Sequence, residues 1–192
     1  CDRNHEAIAQ GLECLQLFGI VVSPQPAFAE VLAEYERISG SLGERSIEDL
    51  ITLPLMTDPE KQAVVRILTF LFAPASLLNN NLFYLLICTA ANLTLRHGIA
   101  EASIHIYSGL AQTLGPVFHR YEDGLRFATL ARSTAEKYRF VETKAYFAME
   151  CACVWSRPVR TAIDFIRLTF RAAIESSDLP YACYSCIRLV SD

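Results

Sequence analysis

Cys183 and Cys186 stand at CxxC spacing near the C-terminus of this 192-residue sequence, with Cys151 and Cys153 upstream. Residues three apart share a helix face, so Cys183 and Cys186 could ligate one metal ion. Cys151 and Cys153 would sit about 200° apart on an ideal helix and could not both face that ion. A thioredoxin-type redox pair needs its CxxC between a strand and a helix, and no strand pattern is present here. Cysteines filling tight helix contacts are the more ordinary arrangement. The expectation is therefore no metal site and no cofactor, with Cys183 and Cys186 as the weak metal candidates.

Glu150 is the second candidate, a carboxylate inside the apolar stretch "AYFAMECACVW". A buried carboxyl with a raised pKa can be catalytic. No histidine or second carboxylate is placed nearby in sequence for acid–base work, so a structural pair or a place in a solvated groove is expected. The natural partner is the following helix, where Arg160, Arg167 and Arg171 share one face. Together with Arg157, these arginines could instead bind a phosphate or an acidic peptide on a concave surface. Asp164 partly neutralises them from four residues after Arg160 and three before Arg167. A solvated helix face is the plainer expectation.

The third group, His119, Tyr121, Glu122 and Asp123, crowds behind Gly115-Pro116. His119 has no second histidine or cysteine beside it. Glu122 and Asp123 fall in the first turn of a helix, where acidic residues offset the positive end of the dipole by about 0.3–1 kcal/mol each. The expectation is a helix stop at Gly115-Pro116, a crossover through "VFHRY" and a new helix from Tyr121. Phosphate loops, GxGxxG, HExxH, GxSxG and kinase elements are absent from the sequence, and no enzyme activity is expected within it.

The elements that would position these residues are helical. Apolar spacing predicts helices near 5–18, 27–39, 58–73, 81–97, 100–114, 121–138, 142–155, 159–176 and 180–190. Asp58-Pro59-Glu60 is a start signal, and His97-Gly98 a stop. The β-rich piece "GIVVS" ends at Pro24 and Pro26. A shift of 38 residues lays Tyr121, Gly124, Leu125, Phe127, Ala128, Leu130 and Ala135 on Val159, Ala162, Ile163, Phe165, Ile166, Leu168 and Ala173. The helices at 100–114 and 142–155 repeat less cleanly. A helix pair recurring at this period predicts an all-α fold of antiparallel pairs stacked as a tetratricopeptide-like α-solenoid, without the strict 34-residue consensus.

Composition bounds the partners. Hydrophobic residues make up 52% and charged ones 20%, greasy for a free domain and suited to a segment whose ends pack on neighbours. Residues 1–192 are thus read as a single helical-repeat segment of a longer chain, opening on Cys1 rather than Met, with self-association through exposed apolar ends expected. A net charge of −4 argues against nucleic acid and anionic membrane. The uncharged run from Ile67 to Leu95 is long enough to span a bilayer, but Pro74 and Asn79-Asn80-Asn81 interrupt it. Its apolar pieces fall short of the ~20 residues that a spanning helix needs, so two buried core helices are expected. Seven cysteines, an odd count in apolar surroundings, suggest reduced thiols and a cytoplasmic location.

Four stretches, "GLECLQLFGI" (11–20), "YERISGSLGERSIEDLITLPLMTDPEKQAVVRILTFLFAPA" (35–75), "NLTLRHGIAEASIHIYSGLA" (92–111) and "YEDGLRFATLA" (121–131), carry a family likeness. They resemble the central region of large multi-domain signalling kinases. In that family a serine/threonine kinase-like domain and a P-loop ATPase precede a long helical-repeat region, and a GAF sensor and histidine kinase follow it. "LPLMTDP" (53–59) and the "RHG" turn (96–98) are the more specific pieces. The resemblance implies a helical middle segment whose partners are flanking domains of the same polypeptide or other proteins. It supplies no catalytic or nucleotide-binding residue. A stand-alone adaptor that binds a peptide or small effector near Arg160 and Arg167 is the alternative, and a small metal or redox helical protein a second one.

Overall fold

The computed structural model describes residues 2–191; Cys1 and Asp192 lie outside the described residues. Helix accounts for 80% of the chain and no strand forms among the described residues, so the fold is all-α. The described chain divides into two compact units, one of residues 2–46 with 52–106 and one of residues 47–51 with 107–191.

In the first unit, α1 (Asp2–Leu17), α2 (Phe28–Leu42), α3 (Pro59–Phe70) and α4 (Phe72–Leu78) gather around α5 (Asn80–His97). Helices α2, α3 and α4 pack on α5, and α1 covers α3 and α4. Helix α5 is buried over most of its circumference, with Leu82, Leu86, Ile87, Ala90 and Ala91 at 0–2% exposure. A fully buried Leu or Ile contributes about 1.5–3 kcal/mol relative to solvent, which makes α5 the core of this unit. Asn92 Nδ2 donates to the Glu34 carbonyl (3.0 Å) and Oε1 (2.7 Å), tying α5 to α2.

The start at Asp58 is as expected. Asp58 Oδ1 accepts from the Glu60 (2.8 Å) and Lys61 (3.3 Å) amides, and Pro59 fills the first helical position. The helix expected over 58–73 instead breaks at Leu71 and resumes as α4. Pro74 is tolerated as the third residue of α4, where an N–H has no intrahelical partner to lose. Asn79 then caps α5 by accepting from the Leu82 amide at 3.1 Å. By length and composition, Pro59–Leu78 is the one candidate membrane span among the described residues, and 39% of its apolar window is buried inside the fold.

"LPLMTDP" and "RHG" lie against each other. Met56 N–H donates to the Ile99 carbonyl (2.7 Å) and Ile99 N–H to the Pro54 carbonyl (2.8 Å), making an isolated parallel bridge. Gly98 has φ +100°, and a Cβ there would stand 2.3 Å from the Pro54 oxygen, so only glycine fits this crossing.

The second unit contains the later part of α6 (Ala102–Phe118), then α7 (Tyr121–Tyr138), α8 (Thr143–Ser156), α9 (Val159–Glu175) and α10 (Leu179–Ser191). From α7 onward each helix packs on the next, and α10 also touches α8. A short 3-10 helix, Glu48–Thr52, belongs to this unit through Ile51; Arg126 donates to both carboxylate oxygens of Glu48, and Lys137 to the Ile51 carbonyl.

The 38-residue spacing is visible in three dimensions. Helices α7 and α9 begin at Tyr121 and Val159. Gly124, Ala128, Ala131 and Ala135 are buried, as are Ala162, Ile166, Thr169 and Ala173 at the matching positions. Both helices end in the same hydrogen-bonded cap. Phe140 N–H reaches the Ala135 carbonyl (3.0 Å) and Asp178 N–H reaches Ala173 (2.8 Å), with Arg139 (φ 55°) and Ser177 (φ 58°) left-handed before them. The match is incomplete at Leu130, 4% exposed, and Leu168, 37% exposed.

The stop expected at Gly115-Pro116 does not occur there; α6 runs through both residues to Phe118. Pro116 lies in the last turn, where the cost of its missing N–H is met by packing of Leu110, Ala111 and Leu114 at 1–4% exposure. Termination comes from His119, at φ 57°, with its N–H on the Gly115 carbonyl and Arg120 N–H on Leu114. The crossover is thus His119-Arg120 rather than "VFHRY". His119 is exposed and no cluster forms around it; its ring lies 6.5 Å from that of Tyr121.

Candidate interaction groove

Helix α8 is apolar nearly all round, with Ala145, Ala148, Met149, Ala152 and Cys153 buried, and it carries Glu150 into the interior at 0% exposure. An unpaired charge in that position would be costly. Arg188 of α10 supplies the compensation, donating to Glu150 Oε1 from Nε (3.0 Å) and Nη2 (2.5 Å). The Cys151 thiol donates to Oε2 at 3.3 Å. Lys144 of α8 reaches Asp178, ahead of α10, at 3.0 Å, and the Ser108 hydroxyl of α6 donates to the Lys144 carbonyl at 3.0 Å. An edge-to-face contact of Phe147 with Tyr181, 5.3 Å between ring centres, closes the same junction.

Beside the Glu150–Arg188 pair lies an open groove of about 410 Å³ lined by Gln112, Cys151, Val154, Trp155 and Arg188. Trp155 is 60% exposed and lies 6.0 Å from the Tyr121 ring. Burial, and then the neighbouring Glu150 charge, push the Cys151 thiol well above its ordinary pKa. A thiol held protonated is a poor nucleophile. The Glu150 carboxylate is engaged on both oxygens and shut off from solvent. The groove therefore offers groups suited to recognition (an amide, an indole face and a half-buried guanidinium) rather than an accessible acid, base or nucleophile.

Glu150 does not pair with Arg160, Arg167 or Arg171, and this corrects the expected partner. Ala162, Ile166, Thr169 and Ala173 form the buried stripe of α9, and the three arginines project about 150° away from it on an ideal helix. All three are exposed and none lines the groove; Arg167 lies 3.8 Å from Asp164, with both side chains more than 60% exposed. Cys183 and Cys186 are likewise exposed on α10. Among the described residues, no group of three or more His, Cys, Asp or Glu side chains is arranged to hold a metal ion.

Arg188, Gln112 and Trp155 were not singled out by residue type. For Arg188 a signal existed, since Glu150 and Arg188 are themselves 38 residues apart. No protein-family profile, curated protein or solved structure matches the chain.

Proposed function

We propose that the chain is a tetratricopeptide-like helical-repeat segment acting as a non-catalytic scaffold in a cytoplasmic multi-domain sensor kinase, where it couples an ATPase or kinase module to sensor and output domains. The observation that carries the repeat assignment is the coincidence, at one 38-residue offset, of helix starts, buried positions and left-handed caps in α7 and α9. Arrays of this kind present surface rather than chemistry, because each layer is used up in covering its neighbour. The kinase setting rests on the likeness of residues 11–131. The reading frame on both sides of the segment tests it: kinase and phosphate-loop motifs upstream with a sensor or histidine kinase downstream are expected. Phosphotransfer by the 192 residues themselves would overturn the scaffold reading.

The groove favours a second reading, an adaptor that binds a peptide or small effector. Its residues are then Gln112, Trp155 and Arg188 rather than Arg160 and Arg167. Trp155 is the single tryptophan, so its fluorescence reports on the groove alone. Saturable quenching by a peptide or metabolite library member, lost in Arg188→Ala, supports this reading; quenching unchanged by that substitution places the ligand elsewhere.

A further inference from the structure

The chain on either side of residues 47–51 belongs to the first unit, and these five residues belong to the second. Ile47 and Leu50 are buried there, at 6% and 0% exposure, while Glu48 and Asp49 between them are exposed. Two side chains of α7 hold this turn. Arg126 donates to Glu48 from Nε (2.7 Å) and Nη2 (2.6 Å), and Lys137 Nζ donates to the Ile51 carbonyl at 2.8 Å. Asp123 accepts from Arg126 Nη1 at 3.1 Å and keeps the guanidinium aimed. Arg126 and Lys137 stand roughly 16 Å apart along α7, and a strip about 40° wide contains both of them and Leu130. The turn is gripped from both ends of that strip and lies over Leu130, which is 4% exposed.

Stacking does not account for this face. Thirty-eight residues later, Asp164, Leu168 and Glu175 occupy the places of Arg126, Leu130 and Lys137. Both charges are reversed, and Leu168 is 37% exposed. A face needed for packing layer on layer would recur; of the two matched helices only α7 carries this one, and it complements the turn that sits on it. We propose that the Arg126–Leu130–Lys137 face of α7 is a docking site for a short acidic–apolar segment of a partner protein, held shut in cis by residues 47–51. The partner's chemistry is read from the occupant, Ile-Glu-Asp-Leu-Ile: a carboxylate for the guanidinium, a leucine for the apolar strip and a carbonyl for the lysine. The grip suits exchange. An ion pair whose members are 40% and 58% exposed contributes little, so attachment rests mainly on two apolar side chains. Gly43, at φ 58° with open space around it, and the exposed Glu44 and Arg45 lead into the turn. A segment held in this way opens locally before its unit unfolds. The site shares no residue with the groove, so its test leaves both readings above standing.

The test titrates the full 192-residue chain with a synthetic peptide of residues 43–54, followed by NMR shifts of α7. A short tether supplies an effective concentration on the order of 1 mM, so the peptide is taken to about 2 mM. Glu48→Arg in the chain sets like charges against each other and opens the site in cis; Glu48 is exposed, so the helical circular dichroism should not change. Saturable shifts at Leu130 are expected in Glu48→Arg. Binding to the unaltered chain should be weaker by at least about tenfold, because its own turn competes. A charge exchange fixes the mode. Arg126→Glu in the chain should refuse the natural peptide and accept the peptide carrying Glu48→Arg, which the Glu48→Arg chain should in turn refuse. No binding to either opened chain overturns the proposal. Equal affinity for the closed and opened chains also overturns it, and so does binding indifferent to the charge exchange, since both place the peptide elsewhere.

Discussion

The two units use apolar helices in opposite ways. In the first, α2, α3 and α4 converge on α5, and α2 reaches it across more than 35 residues of intervening chain. In the second, α7 to α10 pack each on the next, and the buried positions of α7 return 38 residues later in α9. A helix at the centre of a cluster must be apolar on most sides, whereas one in a stack needs two covered faces and a solvated edge. The mean burial of α5 and the arginine-rich edge of α9 follow from that difference. So does the response to damage. A cluster loses its shared core at once, while in a stack stability is close to a sum over neighbouring layers.

Two matched truncations test this contrast. Leu86 in α5 and Ile166 in α9 are both 0% exposed. Leu86→Ala is expected to cost about 3–4 kcal/mol and Ile166→Ala about 2–4 kcal/mol. The difference lies in where the cost appears. Amide exchange should accelerate throughout α2–α5 in the first variant. In the second it should accelerate in α9 and α10 while α7 keeps its protection. Uniform acceleration across residues 107–191 in Ile166→Ala would show that the second unit unfolds as a block and that the stack description is wrong.

The next effect concerns the buried pair, which has no counterpart within α5. Arg188→Ala leaves Glu150 buried with only the Cys151 thiol as donor, at an expected cost of about 2–3 kcal/mol, discounted because the guanidinium is one-third exposed. Glu150→Gln keeps an acceptor for Arg188 and should cost about 1 kcal/mol. Chemical denaturation of both variants checks the order. If Glu150→Gln proves the more damaging, the carboxylate charge rather than its satisfaction holds α8 to α10.

The contrast also explains what could be read from the residues alone. The α7–α9 recurrence was legible because the two helices carry the same small buried positions and the same left-handed cap 38 residues apart. The offset held the partner of Glu150 as well, but the adjacent helix with its three arginines drew the assignment, and helix phase places those arginines in solvent. Gly115-Pro116 misled because punctuation is local, whereas Leu110, Ala111 and Leu114 are held by packing that a short window does not contain. Helix α4 was hidden in the same way, since Pro74 reads as a break unless it is known to fall in a first turn. The groove was least legible: Gln112 and Arg188 stand 38 residues either side of Glu150, but Trp155 falls outside that spacing and the three come from different helices.

The smallest effect at moderate pH separates the units by their thiols. Cys88, on α5 beneath α2, is 2% exposed, and burial followed by the charge of Glu34 raises its pKa from 9 to about 12. The unfolded chain loses this proton near pH 9 while the folded chain retains it, so the unfolded state binds fewer protons in between. Stability from Cys88 is therefore complete below pH 9 and falls as pH rises toward 12. At pH 10 the loss should be about 1.4 kcal/mol for this one group. Cys88→Ala lowers stability at every pH through the lost packing, but it should flatten the decline between pH 9 and 11 for the first unit. Cys151 is shifted in the same direction, so the second unit should keep its own alkaline decline in that variant and show a shallower one in Cys151→Ala, where Cys153, also raised by burial, still contributes. Unfolding followed by amide exchange, which separates residues 52–106 from 107–191, reads the two slopes independently. A slope that Cys88→Ala leaves unchanged would mean that the α2–α5 contact opens to solvent before the thiol ionises, and that the clustered unit is the softer of the two.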